Sequence, residues 1–332
     1  VKYLVVGAGL SGLTIARELA DAGHDITVID KRHHVAGNAY DYTSQHGIRV
    51  HEYGPHLFHT NNENVFNYLS RFTEWLPYEH KVKALLKSGE FVDFPPNRLT
   101  KEIVGPENIV DTFYRPYTKK MWGKSIEELN PEILNRVPGR DDDEDRYFPN
   151  DKYQFLPKDG YTQMAKNMLD HPNITLRLRS HFHKRMEDQY DHVFNSQPID
   201  EYFDFMLGHL DYRSIKFHTK VVEVPKAFPV TTVNFTHDGP YTRITEWKNL
   251  PGHGDNPYAT ILTAEEPCDY KHNKFERYYP VNDDINKERY ESYKKMSSLN
   301  PKITFIGRCG MYVYLNMDQV VNSTLRIAMD YK

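Results

Sequence analysis

The chain has 332 residues, 39% apolar and 27% charged, enough at ~150 residues per domain for two packed domains or one large domain with insertions. That composition excludes a fibre, a small disulfide scaffold and an intrinsically disordered chain. Lys and Arg number 42 against 46 Asp and Glu, a formal charge of -4, too balanced for general affinity for nucleic acid or an anionic membrane, so a polyanionic ligand must be bound locally.

The apolar run Lys2-Tyr3-Leu4-Val5-Val6 predicts a strand, and it ends in Gly7-Ala8-Gly9-Leu10-Ser11-Gly12. Leu13, Ala16, Leu19 and Ala20 share one face of a predicted helix, after which Ile26-Thr27-Val28-Ile29-Asp30 reads as a second strand ending in an acid. Strand, glycine turn, helix and acid make a nucleotide-binding βαβ unit. Gly7 permits the turn, Gly9 lets the backbone approach a pyrophosphate, and Gly12 allows close packing of helix on strand. The helix N-terminus offers unpaired N–H groups to the anion, and Asp30 would take a ribose hydroxyl. The glycines alone would equally serve a packing turn; their register with the acid favours the nucleotide. Next, Lys31-Arg32-His33-His34-Val35-Ala36-Gly37-Asn38 places a basic residue and a second glycine-bearing loop after the acid. This arrangement resembles flavoproteins of the glutathione-reductase-like class, where such a loop lies along the FAD pyrophosphate. The resemblance favours FAD over NAD and implies Lys31, Gly37 and Asn38 as further cofactor residues.

Residues 53–62 read Tyr-Gly-Pro-His-Leu-Phe-His-Thr-Asn-Asn. His56 and His59 lack a carboxylate or thiolate partner at metalloprotease spacing, so no metal is expected. After the flavin signature, however, the stretch resembles the segment of UDP-galactopyranose mutases that sets such histidines beside the isoalloxazine. The likeness continues in chain order. Pro116-Tyr117-Thr118-Lys119-Lys120-Met121-Trp122-Gly123 is similar to the family's Tyr-Thr-x-x-x-Trp-Gly element, and Val137-Pro138-Gly139-Arg140 ends at the position of its mobile-loop arginine. Pro198-Ile199-Asp200-Glu201-Tyr202, Tyr212-Arg213-Ser214, Pro240-Tyr241-Thr242-Arg243, Tyr278-Tyr279-Pro280 and Gly307-Arg308 follow. Tyr314-Leu315-Asn316-Met317-Asp318-Gln319 closes the series at the family's C-terminal flavin-contacting block.

The resemblance implies an isomerase interconverting UDP-galactopyranose and UDP-galactofuranose. Reduced FAD attacks the anomeric carbon through N5 and displaces UDP, and the sugar recloses through a different hydroxyl, with no net redox change. An external reductant such as NAD(P)H or a reductase is then needed. UDP must leave yet stay bound, so its diphosphate needs fixed donors. By position these are Arg140 and Arg243, with phenolic help from Tyr279 and Tyr314. Tyr117 and Trp122 suit a uridine pocket, plain core packing being their other reading, and Asn316 falls on the substrate side. Arg308, Met317 and Gln319 would meet the flavin, while His56 and His59 would flank flavin and sugar with an open role in proton transfer. Arg213 could be structural.

Several positions depart from the family pattern. Tyr117 stands 20 positions after Asn97, where bacterial members carry a longer helical insertion, so the resemblance implies a shortened member whose oligomeric state is open. The acidic run 141–145 would weaken anion binding at Arg140 unless it points outward. As an EF-hand opening it fails, because Arg146 holds the glycine position and Lys152 that of the bidentate glutamate. Asn316 replaces an aspartate and Gln197 a glycine, changes that bear on sugar or nucleotide preference.

The expected fold is α/β, with an FAD-binding Rossmann-like (glutathione-reductase-like) domain, a small helical domain and an antiparallel β-sheet domain. The first would use residues 1–64 with about 150–205 and 300–332, the second 96–149, and the third, for substrate, 65–95 and 206–299. Two cysteines, Cys268 and Cys309, fit a reduced protein better than a disulfide. With no apolar span and no signal-peptide pattern, a cytoplasmic location is expected, and Val1 suggests a trimmed start. Two other readings compete: a mutase of the same mechanism on another nucleotide sugar, and a flavin oxidoreductase or a flavin protein without catalysis. The joint presence of Arg140, Arg243, Tyr279 and Tyr314 speaks against the latter pair.

Overall fold

Runs of Val, Ile and Leu pair into a five-stranded parallel sheet in a computed structural model that describes residues 1–129 and 139–332. Its spatial order is Ile174–Leu178, Asp25–Asp30, Lys2–Val6, His192–Asn195 and Ile303–Phe305. Lys2–Val6 sits in the middle and is apolar on both faces, as a covered parallel strand must be. Val5 packs with Leu13, Ala16 and Leu19 of helix Leu10–Asp21, with Met164 and Met168 of helix Tyr161–Leu169, and with Val321 and Ala328 of helix Met317–Met329. Leu4 and Val6 face the opposite side and meet Val193, Tyr202 and Ile303.

A second sheet of seven strands runs Tyr279–Pro280, Tyr212–Val222, Thr260–Asp269, Arg243–Glu246, Thr232–Phe235, Val82–Leu85 and Phe91–Phe94. It is antiparallel except where Val82–Leu85 joins Thr232–Phe235 in parallel. The antiparallel sheet expected above is present and carries one parallel join. A parallel pair needs a long connection, which the chain between these two strands supplies. Small sheets, Phe58–Thr60 with Tyr153–Pro157 and Trp75–Pro77, and Asp41–Thr43 with Arg49–His51, complete the strands.

The helical segment between Pro96 and residue 129 is short. Asn97 caps helix Arg98–Val104 by accepting from the Thr100 N–H at 3.0 Å, and Gly123 in the left-handed region ends helix Arg115–Trp122. Val137 and Pro138 of the arginine-bearing motif lie outside the described residues. Both cysteines are free, and among the described residues no helix is long and apolar enough to cross a membrane.

Candidate active site

The chain leaves its first strand through Gly7, at a φ of 103°, where a Cβ would lie 2.0 Å from Ser196 Oγ. A Cβ on Gly12 would lie 1.8 Å from the Gly7 carbonyl oxygen, so the helix rests on the strand only with glycine there. Gly9 differs: a Cβ would touch Gly37 Cα at an ordinary 3.6 Å. Packing within the protein does not require glycine at position 9, whereas a ligand drawn close to the backbone does. The first turn of the helix has no side-chain cap, which leaves its N–H groups for an anion. Asp30 accepts from the Ala8 N–H through Oδ2 and from the Arg32 N–H through Oδ1, both at 2.8 Å. It therefore joins the two glycine loops, and each oxygen keeps a lone pair for a ribose hydroxyl. These features fit the adenosine diphosphate half of FAD. Gly307, at a φ of 73°, closes on the same turn, a Cβ there lying 2.7 Å from Ser11 Oγ.

Lys31 is exposed, and the neighbouring Arg32 turns inward instead. Arg32 donates to Asn38 Oδ1 and Glu276 Oε2, each at 2.9 Å, and lies over the Tyr53 ring at 4.3 Å. The structure thus engages Asn38 through Arg32.

On the seven-stranded sheet Arg243 stands directly opposite Glu265, which is 2% exposed, and donates to it from Nε at 2.6 Å. Burial opposes the Arg243 charge, but the Glu265 carboxylate outweighs it and the guanidinium stays firmly protonated. Its two terminal nitrogens make no hydrogen bond among the described residues, and the side chain is 34% exposed. Crowding by neighbouring atoms pushes Tyr117, which is half-exposed beside this cation, up to about 12 and pushes Tyr279 and Tyr147 up as well, so all three phenols keep their protons as donors. Tyr279 stacks on Tyr314, with centroids 5.8 Å apart, and Arg308 lies over both rings while donating to the Tyr278 and Leu315 carbonyls. Trp122, Tyr279 and Tyr314 line one cavity of about 780 Å³. Arg213 is placed as a brace: it donates to the Met121 and Lys120 carbonyls at the end of the helix that carries Tyr117 and Trp122.

Arg140 donates to the carbonyls of Glu144, Arg146 and Tyr147, closing its own loop. Three acids of that loop turn outward onto cations, Asp141 onto Lys101, Asp143 onto Arg98 and Asp145 onto Lys81, while Glu144 pairs with Arg146 within the loop. In this arrangement the donors of Arg140 and Arg243 are not brought together, although both guanidinia act on Tyr147. Among the described residues no group of three or more His, Cys, Asp and Glu side chains is placed to hold a metal ion.

His56 is held down to about 4 by burial, hence neutral at pH 7. Its Nδ1 lies 2.9 Å from the Gly54 carbonyl, which only accepts, so Nδ1 carries the proton and Nε2 presents a lone pair. His59 instead meets Asp151 through Nδ1 at 2.5 Å and stacks on Phe148 at 3.6 Å. His80 is brought beside His59 and Arg243, and burial lowers it to about 3. The sequence reading missed His80, Tyr147 and Glu265. A glutamate alternating into the core of strand Thr260–Asp269 was the one available signal. Asn316 is the N-cap of helix Met317–Met329, where its N–H donates to Gln319 Oε1 at 2.8 Å; Met317 is the helix's first residue.

Residues 112–314 match the family model described as UDP-galactopyranose mutase, and residues 5–72 one described as an NAD(P)-binding Rossmann-like domain. A probable UDP-galactopyranose mutase of Klebsiella pneumoniae is 33% identical over 99% of this chain and 94% of that protein. A dTDP-fucopyranose mutase of Escherichia coli is 32% identical over 99% of this chain and 98% of that protein. A solved reduced UDP-galactopyranose mutase superposes with a TM-score of 0.77 at 17% identity, over 99% of this chain and 95% of that one. A family model over more than half of the chain, together with full-length relatives above 30% identity, shows that the chain belongs to the UDP-galactopyranose mutase family of flavin-dependent isomerases.

Proposed function

We propose that the protein interconverts UDP-galactopyranose and UDP-galactofuranose with FAD in its reduced state, an external reductant such as NAD(P)H supplying the electrons. The observation that carries this reading is Arg243, whose Nε is fixed by Glu265 while both terminal nitrogens are unspent among the described residues. An arginine held in this way presents a rigid fork to a diphosphate and loses little on binding. When bound along the glycine cradle, the reduced flavin supplies the nucleophile for the anomeric carbon.

The protein's part is to keep UDP in place as charge grows on it. Arg243 meets that charge with the N–H groups of its two terminal nitrogens, and Tyr279 and Tyr314 add hydroxyls from the stacked pair beside it. Tyr117 and Trp122 give the uracil flat surfaces, and Arg213 holds their helix. Neutral His56 accepts a hydrogen bond or a proton at Nε2. Arg140 reaches the diphosphate when its loop exchanges carbonyl partners for phosphate oxygens.

A second reading rests on the Escherichia coli dTDP-fucopyranose mutase, almost as similar to this chain as the Klebsiella protein. The two are separated by supplying the reduced enzyme with UDP-galactofuranose and dTDP-fucofuranose in parallel. Faster turnover of the UDP sugar supports the first reading; faster turnover of the dTDP sugar replaces it with the second.

A further inference from the structure

His51 and His253 form an imidazole pair, Nε2 to Nε2 at 2.9 Å, with only 1% and 3% of each residue exposed. Their outer nitrogens have partners of fixed polarity. The Pro251 carbonyl, which only accepts, lies 2.9 Å from His253 Nδ1, and the His56 backbone N–H, which only donates, lies 3.1 Å from His51 Nδ1. The proton positions follow. His253 is protonated on Nδ1 and accepts at Nε2, whereas His51 accepts at Nδ1 and donates from Nε2. One chain of hydrogen bonds then runs from the His56 N–H through both rings to Pro251.

The chain closes only when both rings are neutral. A proton added to His253 sets N–H against N–H across the pair, and one added to His51 faces the His56 N–H. Trp247 and Tyr161 pack on His51, with ring centroids at 4.8 and 5.7 Å. The charged and titratable groups acting on the pair are Arg49, Asp41 and His56. Burial leads in lowering both rings, His253 to about 4.

We propose that His51 and His253 are positioning residues: their neutral relay fixes the turn that carries His56 and so sets the place of His56 Nε2 beside Arg243 and Arg308. This rests on reading His56 as a residue of the flavin site. Three elements meet in the relay, the strand Arg49–His51, the turn to His56 and the loop that follows Trp247–Asn249.

The test uses the flavin-loaded enzyme in two steps. Nitrogen-15 NMR of the wild type at pH 7, with signals assigned from single-histidine variants, should show His51 protonated on Nε2 and His253 on Nδ1. The opposite tautomers, or a charged ring, overturn the relay whatever the enzyme's activity. Then His253→Phe keeps the ring volume but removes the acceptor, so kcat should fall about tenfold or more. UDP affinity should hold, and the visible circular dichroism of the flavin should shift. His253→Gln, whose amide can accept from His51 and donate to Pro251, should recover most of the lost kcat. Unchanged kcat and flavin signal in a folded His253→Phe overturn the proposal, as does a kcat that His253→Gln fails to restore. Should His253→Phe not fold, the wild-type tautomers still decide. A wild type with the expected tautomers but no mutase turnover contradicts the functional reading and leaves the relay standing.

Discussion

Arg243 combines a spent Nε with two terminal nitrogens that make no hydrogen bond among the described residues, and its loss should therefore be felt in turnover rather than in folding or flavin content. Arg243→Ala is expected to lower kcat by about 100- to 1000-fold, near 3 kcal/mol of transition-state stabilisation, while the protein stays yellow. Turnover within a factor of a few of wild type removes Arg243 from the site. The buried histidines make a second prediction. His80 and His253 are held near 3 and 4 by burial, against ~6.5 in the unfolded chain. Between those values the unfolded chain takes up protons that the folded one refuses, so this stability is complete above pH ~6.5 and is lost as pH falls toward about 4 for His253 and about 3 for His80. Each group that titrates fully contributes about 1.4 kcal/mol per pH unit, about 3 kcal/mol for the two. Urea midpoints at pH 7, 6 and 5 should fall in that order, before the ordinary carboxylates titrate. A midpoint constant over this range means that these rings are not held neutral.

The glycine-bearing turn separates two kinds of glycine, and substitution should separate them too. Gly12→Ala sets a Cβ against the Gly7 carbonyl and should cost folding, whereas Gly9→Ala meets only Gly37 at van der Waals distance. Gly9→Ala is therefore expected to keep a wild-type melting temperature for the flavin-free protein while losing retention of FAD on a desalting column. Equal flavin content in Gly9→Ala and wild type would show that nothing approaches that backbone. The loop bearing Arg140 gives a further expectation. Because Arg140 is engaged with three carbonyls, binding requires an exchange of partners, and Arg140→Ala should weaken UDP affinity with no change in flavin content. Calorimetry giving equal UDP affinity in both proteins means that the exchange does not occur.

The βαβ unit was readable from sequence because strand, turn, helix and acid lie within thirty consecutive residues and each carries a local pattern. What escaped reading depends on contacts between distant segments. Lys31 and Arg32 are equivalent in type and adjacent, and only Asn38, Tyr53 and Glu276 decide which of them turns inward. Glu265 looks like any strand glutamate until the pairing of two strands sets it opposite Arg243. The parallel join of Val82–Leu85 to Thr232–Phe235 leaves no turn signal, since no hairpin links them. His80 precedes Val82–Leu85 and reaches Arg243 only through that same join.

Across the full chain, a parallel sheet with a nucleotide cradle stands beside a mixed sheet carrying a cation and stacked tyrosines, on a protein of net charge -4. The negative balance gives no general pull on a UDP sugar, so under the proposed function recognition falls to Arg243 and the tyrosines around it. The central claim is that a reduced flavin and this local site together isomerise the sugar. The most direct test is to reduce the purified yellow protein anaerobically with dithionite, add UDP-galactofuranose, and follow UDP-galactopyranose by chromatography. The account predicts conversion with the reduced protein and none with the oxidised one. Flavin-loaded, fully reduced protein that leaves UDP-galactofuranose unchanged would contradict it.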